Sequence, residues 1–513
     1  MKYDVDPKAD TATADTWLLL AVSAIPFLIQ LAGTLSPHYG YFIDEFYYIA
    51  CSKRLAFGYV DHPPLSPWVL ALTRPLLGTS LLGLRLPAFL AGSATAWLAG
   101  RLAMRLGGGR FAMAAAALLT GLSPVALGLS SFYSMNAFEP LLWTLVVYTL
   151  VRLVQTGNSH LWLTVGLLIG LAVENKHTAA AFVLALGLGV VATRARSMLR
   201  DGWLWAGVAL AVALILPNVV WQIVNGWPSL EFYRAAQELK NVYSPPVRSL
   251  LALVVVVNVL AAPFWAVGLW YLISGRADRL AFLGVAAAAI LVEYLAAGTS
   301  RPDRPFATFP LLFAAGAVWF ARVVRGSAAR SLVMAAVVTI GLAGVPLAVP
   351  LLPPPVLAKY VSAMGLTFQI ERGKTSPLPQ PLADRTGWES FLADIVRVYG
   401  ALSPEDQQRA LIYAPDYGHA GALELWGPSR GLPRVIASQN SYWHWSRGHT
   451  NTEVLIAIRP DPSVLRRLFR DVRQVGWIDC DYCMSWRSHM PIYVARGALV
   501  PIESIWAAAK DYE

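Results

Sequence analysis

The chain has 513 residues, of which 56% are hydrophobic and only 14% are charged. This composition excludes a soluble globular protein and is typical of a polytopic membrane protein. The formal net charge of +10 does not indicate a nucleic-acid-binding protein, because the arginines lie mainly in short loops between apolar runs. Three cysteines are too few for a framework of disulfides.

Apolar runs of about 18 to 22 residues, bounded by charged residues, Pro or Gly, predict about eleven transmembrane helices. We expect the first run to remain in the protein as a span, because no small-residue cleavage pattern follows it. The predicted spans are residues 17–36, 80–100, 111–130, 138–154, 161–174, 177–193, 203–223, 249–273, 280–298, 306–322 and 331–351.

The distribution of charge predicts the orientation of these spans. Alternate loops are rich in arginine, whereas nearly all acidic residues of the membrane region lie in the opposite set of loops. Because arginine-rich loops stay on the cytoplasmic side, we expect a cytoplasmic N-terminus and an extracytoplasmic C-terminal part. The membrane is expected to be the inner or plasma membrane of the cell.

The character of the chain changes after three consecutive prolines at 353–355. We expect a membrane domain over residues 1–352, with a first outer loop at 37–79, followed by a linker at 353–383. The segment 384–513 alternates helical and strand patterns and predicts a small extracytoplasmic α/β domain. Its helices are predicted at 387–402, after Ser403, at AGALELWG and at PSVLRRLFRDV, and its strands at LIYAP, RVIAS, EVLIAI and PIYVAR.

The first outer loop carries adjacent acids, Asp44 and Glu45, between two membrane spans. A carboxylate at the rim of a membrane cavity is partly desolvated, which raises its proton affinity and suits it to accept a proton from an attacking hydroxyl. The alternative is a pair of acids that stabilises the start of a short helix. Sequence alone leaves both interpretations open.

A second polar group in the same loop is Asp61-His62-Pro63-Pro64. With Asp44, it predicts an oxygen-rich pocket for Mg²⁺, Mn²⁺ or Ca²⁺, or for Zn²⁺ if His62 is a ligand. The alternative is a rigid turn fixed by the two prolines.

The strings YFIDEFYYIACSKRLAFGYVDHPPLSPW, SFYSMNAFEPLLW, ENKHT and LPNVVWQIVNGWPSLEFYRAAQELKN resemble the bacterial GT-C glycosyltransferases related to protein O-mannosyltransferases and to the aminoarabinose transferase of lipid A. The resemblance implies a GT-C membrane fold and transfer of a sugar from a polyprenyl phosphate, without a nucleotide, on the outer face. It assigns Asp44 as the catalytic acid of the Asp-Glu motif and places Asp61 as a second acidic residue, so Asp44, Glu45 and Asp61 are the predicted catalytic residues.

The acceptor can be a lipid, a cell-envelope glycan or a protein hydroxyl, and attack at the anomeric carbon predicts inversion. The phosphate leaving group needs cations. The predicted substrate-binding residues are His62, Lys53, Arg54, Asn136, Glu139, Lys176, His177, Arg301 and Arg304, with Arg234 and Lys240 as further cations on the same face. For most of them the alternative role is anchoring to lipid headgroups.

One loop departs from the family pattern. Relatives read Gly-Lys-Pro-Tyr-Tyr before the tenth span, where this chain reads GTSRPDRPFATFP, so Arg301 or Arg304 is expected to supply the basic function. The rival class is a polytopic transporter or flippase for an envelope precursor, but its ionisable residues are expected at the membrane midplane in repeated halves.

Three patterns in the C-terminal segment also invite interpretation. The run from Tyr417 to Gly421 follows a strand and opens a helix, where backbone amides can bind an anion. The aromatic run from Tyr442 to Trp445 can stack on sugars or fill a core. Cys480 and Cys483 predict a local disulfide, or a metal site with His489.

Overall fold

The computed structural model describes residues 13–274, 276–299, 301–366 and 371–513. Residues 367–370 of the predicted linker therefore lie outside the described part. The chain divides into two compact units. The helical unit comprises residues 1–36, 82–220 and 243–351, and the mixed unit comprises residues 37–81, 221–242 and 352–513.

The helices follow one another along the chain with short connections. They are α1 Thr13–Thr34, α2 Ile43–Lys53, α3 Leu65–Leu77, α4 Leu81–Arg105, α5 Arg110–Gly121, α6 Pro124–Ser130, α7 Met135–Thr156, α8 Leu161–Asn175, α9 Ala179–Ala192, α10 Gly202–Val224, α11 Pro228–Ala235, α12 Pro246–Val257, α13 Ala262–Ile273, α14 Ala281–Ala296, α15 Phe309–Val323, α16 Ser327–Ala348, α17 Pro354–Ala363, α18 Gln380–Ala383, α19 Trp388–Gly400, α20 Pro404–Arg409, α21 Tyr417–Trp426, α22 Ser441–Ser446 and α23 Pro462–Leu468.

Six helices within the described ranges are long and apolar enough to cross a membrane. The number rises to nine if three sharply bent helix pairs each count as one span, and α8 and α14 are shorter apolar helices. The chain is therefore a multi-pass membrane protein. The count of eleven spans and the orientation of the termini stay predictions.

The span predicted at 249–273 is divided in the structure. The helical segments on either side of Asn258 are bent by 100°, and Asn258 has a φ of 120°. Its side-chain oxygen accepts a hydrogen bond from the Leu260 amide at 3.0 Å, and its side-chain amide donates to the Val337 carbonyl at 2.9 Å. The Asn258 side chain thus accepts from an amide that the bend leaves without a helical partner and links the bend to α16.

The C-terminal part of the mixed unit contains a five-stranded sheet. Its strands are β1 Ala410–Tyr413, β2 Val435–Ile436, β3 Val454–Ile458, β4 Phe469–Ile478 and β5 Met490–Ala498. They lie in the order β2-β1-β3-β5-β4. The first three are parallel to each other, and β5 is antiparallel to both β3 and β4.

The prediction of the α/β segment was wrong at one boundary. The helix expected over PSVLRRLFRDV ends at Leu468, and strand β4 begins at the next residue. Strand β4 pairs with β5 at the end of the sheet order, so much of it is exposed and its sequence lacks the apolar alternation of a half-buried strand. Two further helices, α17 and α18, lie inside the segment expected to be a linker.

Candidate functional site

The acidic pair of the first outer loop lies in the first turn of α2, and its two members are used differently. The Glu45 carboxylate accepts a hydrogen bond from the Phe42 amide at 2.8 Å and is fully buried. This contact closes the N-terminus of α2, as a glutamate at the third helical position does in a capping box. The geometry therefore gives Glu45 a structural contact, and its catalytic role stays a prediction.

Asp44 is partly buried, and its Oδ1 accepts a hydrogen bond from the Tyr417 hydroxyl at 2.8 Å. Burial raises the pKa of the Asp44 carboxyl to about 6. The Tyr417 hydrogen bond and the charge of Lys240 oppose this rise in pKa, whereas the charges of Asp61 and Glu371 add to it. Asp44 thus has the proton affinity of a general base that works near neutral pH.

Two further charged residues act on Asp44: Glu371 and Lys240. They belong to two segments of the mixed unit that are distant in sequence but pair with each other. Asn241 and Glu371 form an antiparallel bridge. The Lys374 ammonium lies 2.6 Å from Glu371 Oε2. Burial acts to raise the pKa of Glu371, but the charges of Lys240 and Lys374 prevail and lower it, so Glu371 is an anion facing Asp44.

Tyr417 reaches Asp44 because α21 packs closely against α2. A Cβ atom at Gly418 would collide with the Ile43 side chain, and one at Gly421 would lie 2.8 Å from Phe46. The two glycines therefore permit the close approach of the helices. The predicted anion cradle is not supported, because the carboxylate of Asp416 already accepts hydrogen bonds from the amides of residues 418 and 419.

Asp61 lies near a second tyrosine. The Tyr47 hydroxyl is 3.0 Å from Asp61 Oδ1 and 2.7 Å from Ser441 Oγ. The Ser441 amide donates back to the Tyr47 oxygen at 3.2 Å, and Ser441 Oγ also accepts from the Val60 amide. This network fixes the position of Asp61, whose charge acts on Asp44.

His62 does not complete a metal site with these acids. Its Nδ1 lies 2.9 Å from the Pro63 carbonyl oxygen, its Nε2 lies 3.9 Å from Cys51 Sγ, and its ring stacks on Tyr48. Among the residues that the structure describes, no three His, Cys, Asp or Glu side chains are grouped to hold a metal ion. The predicted ligands Asp44, Asp61 and His62 therefore do not fit such a site, and the divalent metal stays a prediction.

The two predicted cations at the end of α2 contact α21. Both Lys53 and Arg54 form ion pairs with Glu424, at 3.5 and 3.0 Å. The guanidinium of Arg54 also lies 4.8 Å from the ring centroid of Trp445. Arg54, Glu424 and Trp445, with Tyr442, line a cavity of about 220 Å³. The structure therefore places these cations at the opposite end of α2 from Asp44.

In the helical unit, the structure brings Glu139, Lys176 and Thr178 together. The Lys176 ammonium lies 2.7 Å from Glu139 Oε2, and the Thr178 hydroxyl donates to Glu139 Oε1. His177 Nε2 lies 3.5 Å from the side-chain oxygen of Asn218. Asn136 lies in the first turn of α7, where Ser134 caps the helix by accepting a hydrogen bond from the Asn136 amide.

The two predicted arginines of the departing loop are engaged in ion pairs within the helical unit. Arg301 pairs with Asp303 at 3.2 Å, and Arg304 pairs with Glu293 at 3.2 Å. Partial burial of Asp303 acts to raise the pKa of its carboxyl, but the charges of Arg301 and Lys176 prevail and lower it. Of the predicted binding residues, the structure joins Glu139 and Lys176 in the helical unit, whereas Lys53 and Arg54 of the mixed unit pair with Glu424.

Sequence reasoning missed three residues of this site: Tyr417 and Glu371, which act on Asp44, and Tyr47, which contacts Asp61. The signal for Tyr47 was its spacing of three residues from Asp44 in a predicted helix, which places both on one side. The sequence pattern that includes Tyr417 indicated an anion site and not a partner of Asp44, and Glu371 carries no local signal. Each meets Asp44 only through the fold.

The other C-terminal patterns have structural contacts. Cys480 and Cys483 form the predicted disulfide, and His489 stacks on Trp477 instead of joining them. In the aromatic run, Tyr442 is buried and donates to Glu424 at 3.0 Å. Core packing is therefore the interpretation that the contacts of Tyr442 support.

Comparison with known proteins gives one family match and several matches of fold. Residues 61–221 match the family described as dolichyl-phosphate-mannose-protein mannosyltransferase. No curated protein sequence matches the chain significantly.

The structural matches extend over nearly the whole chain. ArnT from Cupriavidus metallidurans in the apo state has a TM-score of 0.57 and 18% identity over 94% of this chain and 98% of that chain. The same protein bound to undecaprenyl phosphate has a TM-score of 0.56 and 17% identity with the same coverage. The oligosaccharyltransferase from Archaeoglobus fulgidus in the apo form has a TM-score of 0.51 and 12% identity over 83% of this chain and 65% of that chain. At these identities the matches show a shared fold.

Proposed function

We propose that this chain, a membrane glycosyltransferase of the GT-C type, moves a sugar from a polyprenyl-phosphate-linked donor to an acceptor hydroxyl on the outer face of the membrane. The premise is the resemblance to protein O-mannosyltransferases and the aminoarabinose transferase, which the family match over residues 61–221 and the shared fold support. The acceptor is a lipid, a cell-envelope glycan or a protein.

The observation that supports this proposal most directly is the environment of Asp44. A partly buried carboxylate with a pKa raised to about 6 is ionised at neutral pH and still binds a proton far better than an ordinary aspartate. Asp44 Oδ1 is occupied by Tyr417, and no described residue donates a hydrogen bond to Oδ2. Oδ2 is therefore the oxygen that we assign to the acceptor hydroxyl.

The proposed reaction is a single displacement. The acceptor oxygen attacks the anomeric carbon while its proton passes to Asp44 Oδ2, and the bond between the anomeric carbon and the phosphate oxygen breaks. The electron pair of that bond leaves with the polyprenyl phosphate. Attack opposite the leaving group inverts the configuration at the anomeric carbon, and no step passes through a metal ion.

The leaving phosphate requires a nearby positive charge, because it departs as an anion. Lys240 is a cation of the mixed unit whose charge acts on Asp44, and it fits this role. The choice of a polyprenyl phosphate draws on the structure of ArnT bound to undecaprenyl phosphate and on the dolichyl phosphate of the matched family.

The test compares the purified wild type with Asp44→Asn in lipid vesicles that contain radiolabelled polyprenyl-phosphate sugars and a native membrane extract. The matched control is Asp394→Asn, which removes a surface carboxylate that pairs with Arg397 in the same unit. We expect Asp44→Asn to lower the rate of transfer roughly 10²- to 10⁴-fold, as loss of a general base does, and Asp394→Asn to leave it unchanged.

Three results would contradict the proposal in different ways. Equal transfer by wild type and Asp44→Asn would remove Asp44 as the base. Retention of the anomeric configuration in the product, read by nuclear magnetic resonance, would remove the single displacement. No consumption of any donor, with movement of the lipid across the vesicle membrane, would favour the transporter or flippase.

A further inference from the structure

We propose that Tyr417 is a positioning residue for Asp44, so that the C-terminal α/β segment completes the catalytic site. This proposal rests on the function proposed above for Asp44. Tyr417 would hold Oδ1 of the carboxylate, leave Oδ2 for the acceptor hydroxyl and keep Asp44 ionised at the pH of the reaction.

The contact joins two partly buried side chains that neighbouring groups hold in place. The Tyr417 amide donates to the Gln439 side-chain oxygen at 3.1 Å, which fixes the start of α21. The Tyr417 ring lies 4.9 Å from the ring of Tyr47 on α2, and Gly418 and Gly421 allow α21 to approach α2. A tyrosine held at its backbone, its ring and its hydroxyl gives the carboxylate of Asp44 one orientation.

The direction of the electrostatic effect follows from the hydrogen bond. A hydroxyl that donates to a carboxylate stabilises the ionised form and disfavours the protonated form. The charged groups that face Asp44 are Asp61 and Glu371, which favour protonation, and Lys240, which opposes it. Asp384, which is buried beside Arg487, also interacts with Asp44. Against Asp61 and Glu371, the Tyr417 hydroxyl and Lys240 are the groups that keep Asp44 charged.

The test is Tyr417→Phe, which removes one oxygen and preserves the ring. We expect the acid limb of the pH profile of kcat/KM to move to higher pH by roughly one unit or more. The reason is that the free energy of a hydrogen bond to a charged group corresponds to at least about one pKa unit. The matched control is Tyr399→Phe in α19, whose hydroxyl donates to the Gln407 carbonyl instead, and its acid limb should coincide with that of the wild type.

A double variant separates positioning from a general packing defect. If Tyr417 acts through Asp44, Tyr417→Phe should cause no further loss in an Asp44→Asn background. A loss of equal size in both backgrounds, or an acid limb that does not move, would overturn the proposal.

The ionisation of Asp44 can also be followed without the enzymatic reaction. The infrared band of the protonated Asp44 carboxyl is identified by its absence from Asp44→Asn. As the pH is lowered, this band should appear at a higher pH in Tyr417→Phe than in the wild type. An unchanged midpoint would overturn the positioning role, whereas a shifted midpoint in a protein that transfers no sugar would retain the contact and reject the proposed function.

Discussion

The pH dependence of sugar transfer provides a direct measure of the environment of Asp44. A general base is active when it is deprotonated, so the rate should fall as the pH drops through the pKa of the Asp44 carboxyl. That pKa is raised by burial to about 6. We therefore expect kcat/KM to be nearly constant above pH 7 and to decline below pH 6.

The magnitude follows from the ionised fraction of Asp44. With a pKa of about 6, the ionised fraction is roughly 0.9 at pH 7 and roughly 0.1 at pH 5, so kcat/KM should fall about tenfold between them. An ordinary aspartate would stay ionised over this range. The assay measures transfer of radiolabelled sugar from the donor to the acceptor in vesicles. After each measurement the protein is returned to pH 7 and its activity is measured again, to exclude irreversible inactivation.

Two substitutions of opposite charge should move this acid limb in opposite directions. Lys240→Met removes a positive charge that lowers the pKa of Asp44, so the limb should move to higher pH. Glu371→Gln removes a negative charge that raises the pKa, so the limb should move to lower pH. Lys510→Met is the matched control, because Lys510 pairs with Glu231 and not with this group.

The reasoning would be refuted by a wild-type profile that is flat from pH 7 to pH 5. It would also be refuted if the Lys240 and Glu371 variants moved the limb in the same direction, because their charges are opposite. A shift in the Lys510→Met control would show that the limb reports a general change in the protein instead of the ionisation of Asp44.

Two further predictions concern stability. Glu45→Gln should retain transfer and lose less than about 1 kcal/mol of stability, because glutamine also closes a capping box; a loss of activity as large as that of Asp44→Asn would make Glu45 catalytic instead. Gly421→Ala should lower the free energy of unfolding by roughly 1 to 3 kcal/mol through contact with Phe46, whereas Gly400→Ala, with no atom within 4 Å of the added Cβ, should not lower the thermal midpoint.

The membrane helices could be predicted because a bilayer imposes both length and apolarity on them. Most predicted runs coincide with observed helices, such as 138–154 with Met135–Thr156 and 203–223 with Gly202–Val224. The bend at Asn258 could not be predicted, since a lone asparagine in an apolar run also occurs in straight helices. Its effect depends on the Val337 carbonyl, which lies 79 residues further along the chain.

Only the residues of the candidate site that lie close together in sequence could be predicted. The Asp-Glu pair identified Asp44, but successive residues of a helix point about 100° apart, so the pair alone does not say which of the two acids faces a substrate. Only the structure shows that Glu45 closes the helix and that Asp44 meets Tyr417. Tyr417 is 373 residues away in sequence, and the glycines that bring it close also fitted an anion cradle.

The opposing influences on Asp44 give it a proton affinity that suits its proposed task. An aspartate with a pKa of 3.8, the usual value, is ionised at neutral pH but is a weak base. Raising its pKa to about 6 strengthens its binding of a proton roughly a hundredfold and still leaves about nine carboxylates in ten ionised at pH 7. Burial with Asp61 and Glu371 alone would carry the pKa higher and leave much of the base protonated. Tyr417 and Lys240 prevent this, so the groups that meet Asp44 only through the fold are the ones that keep it usable as a base.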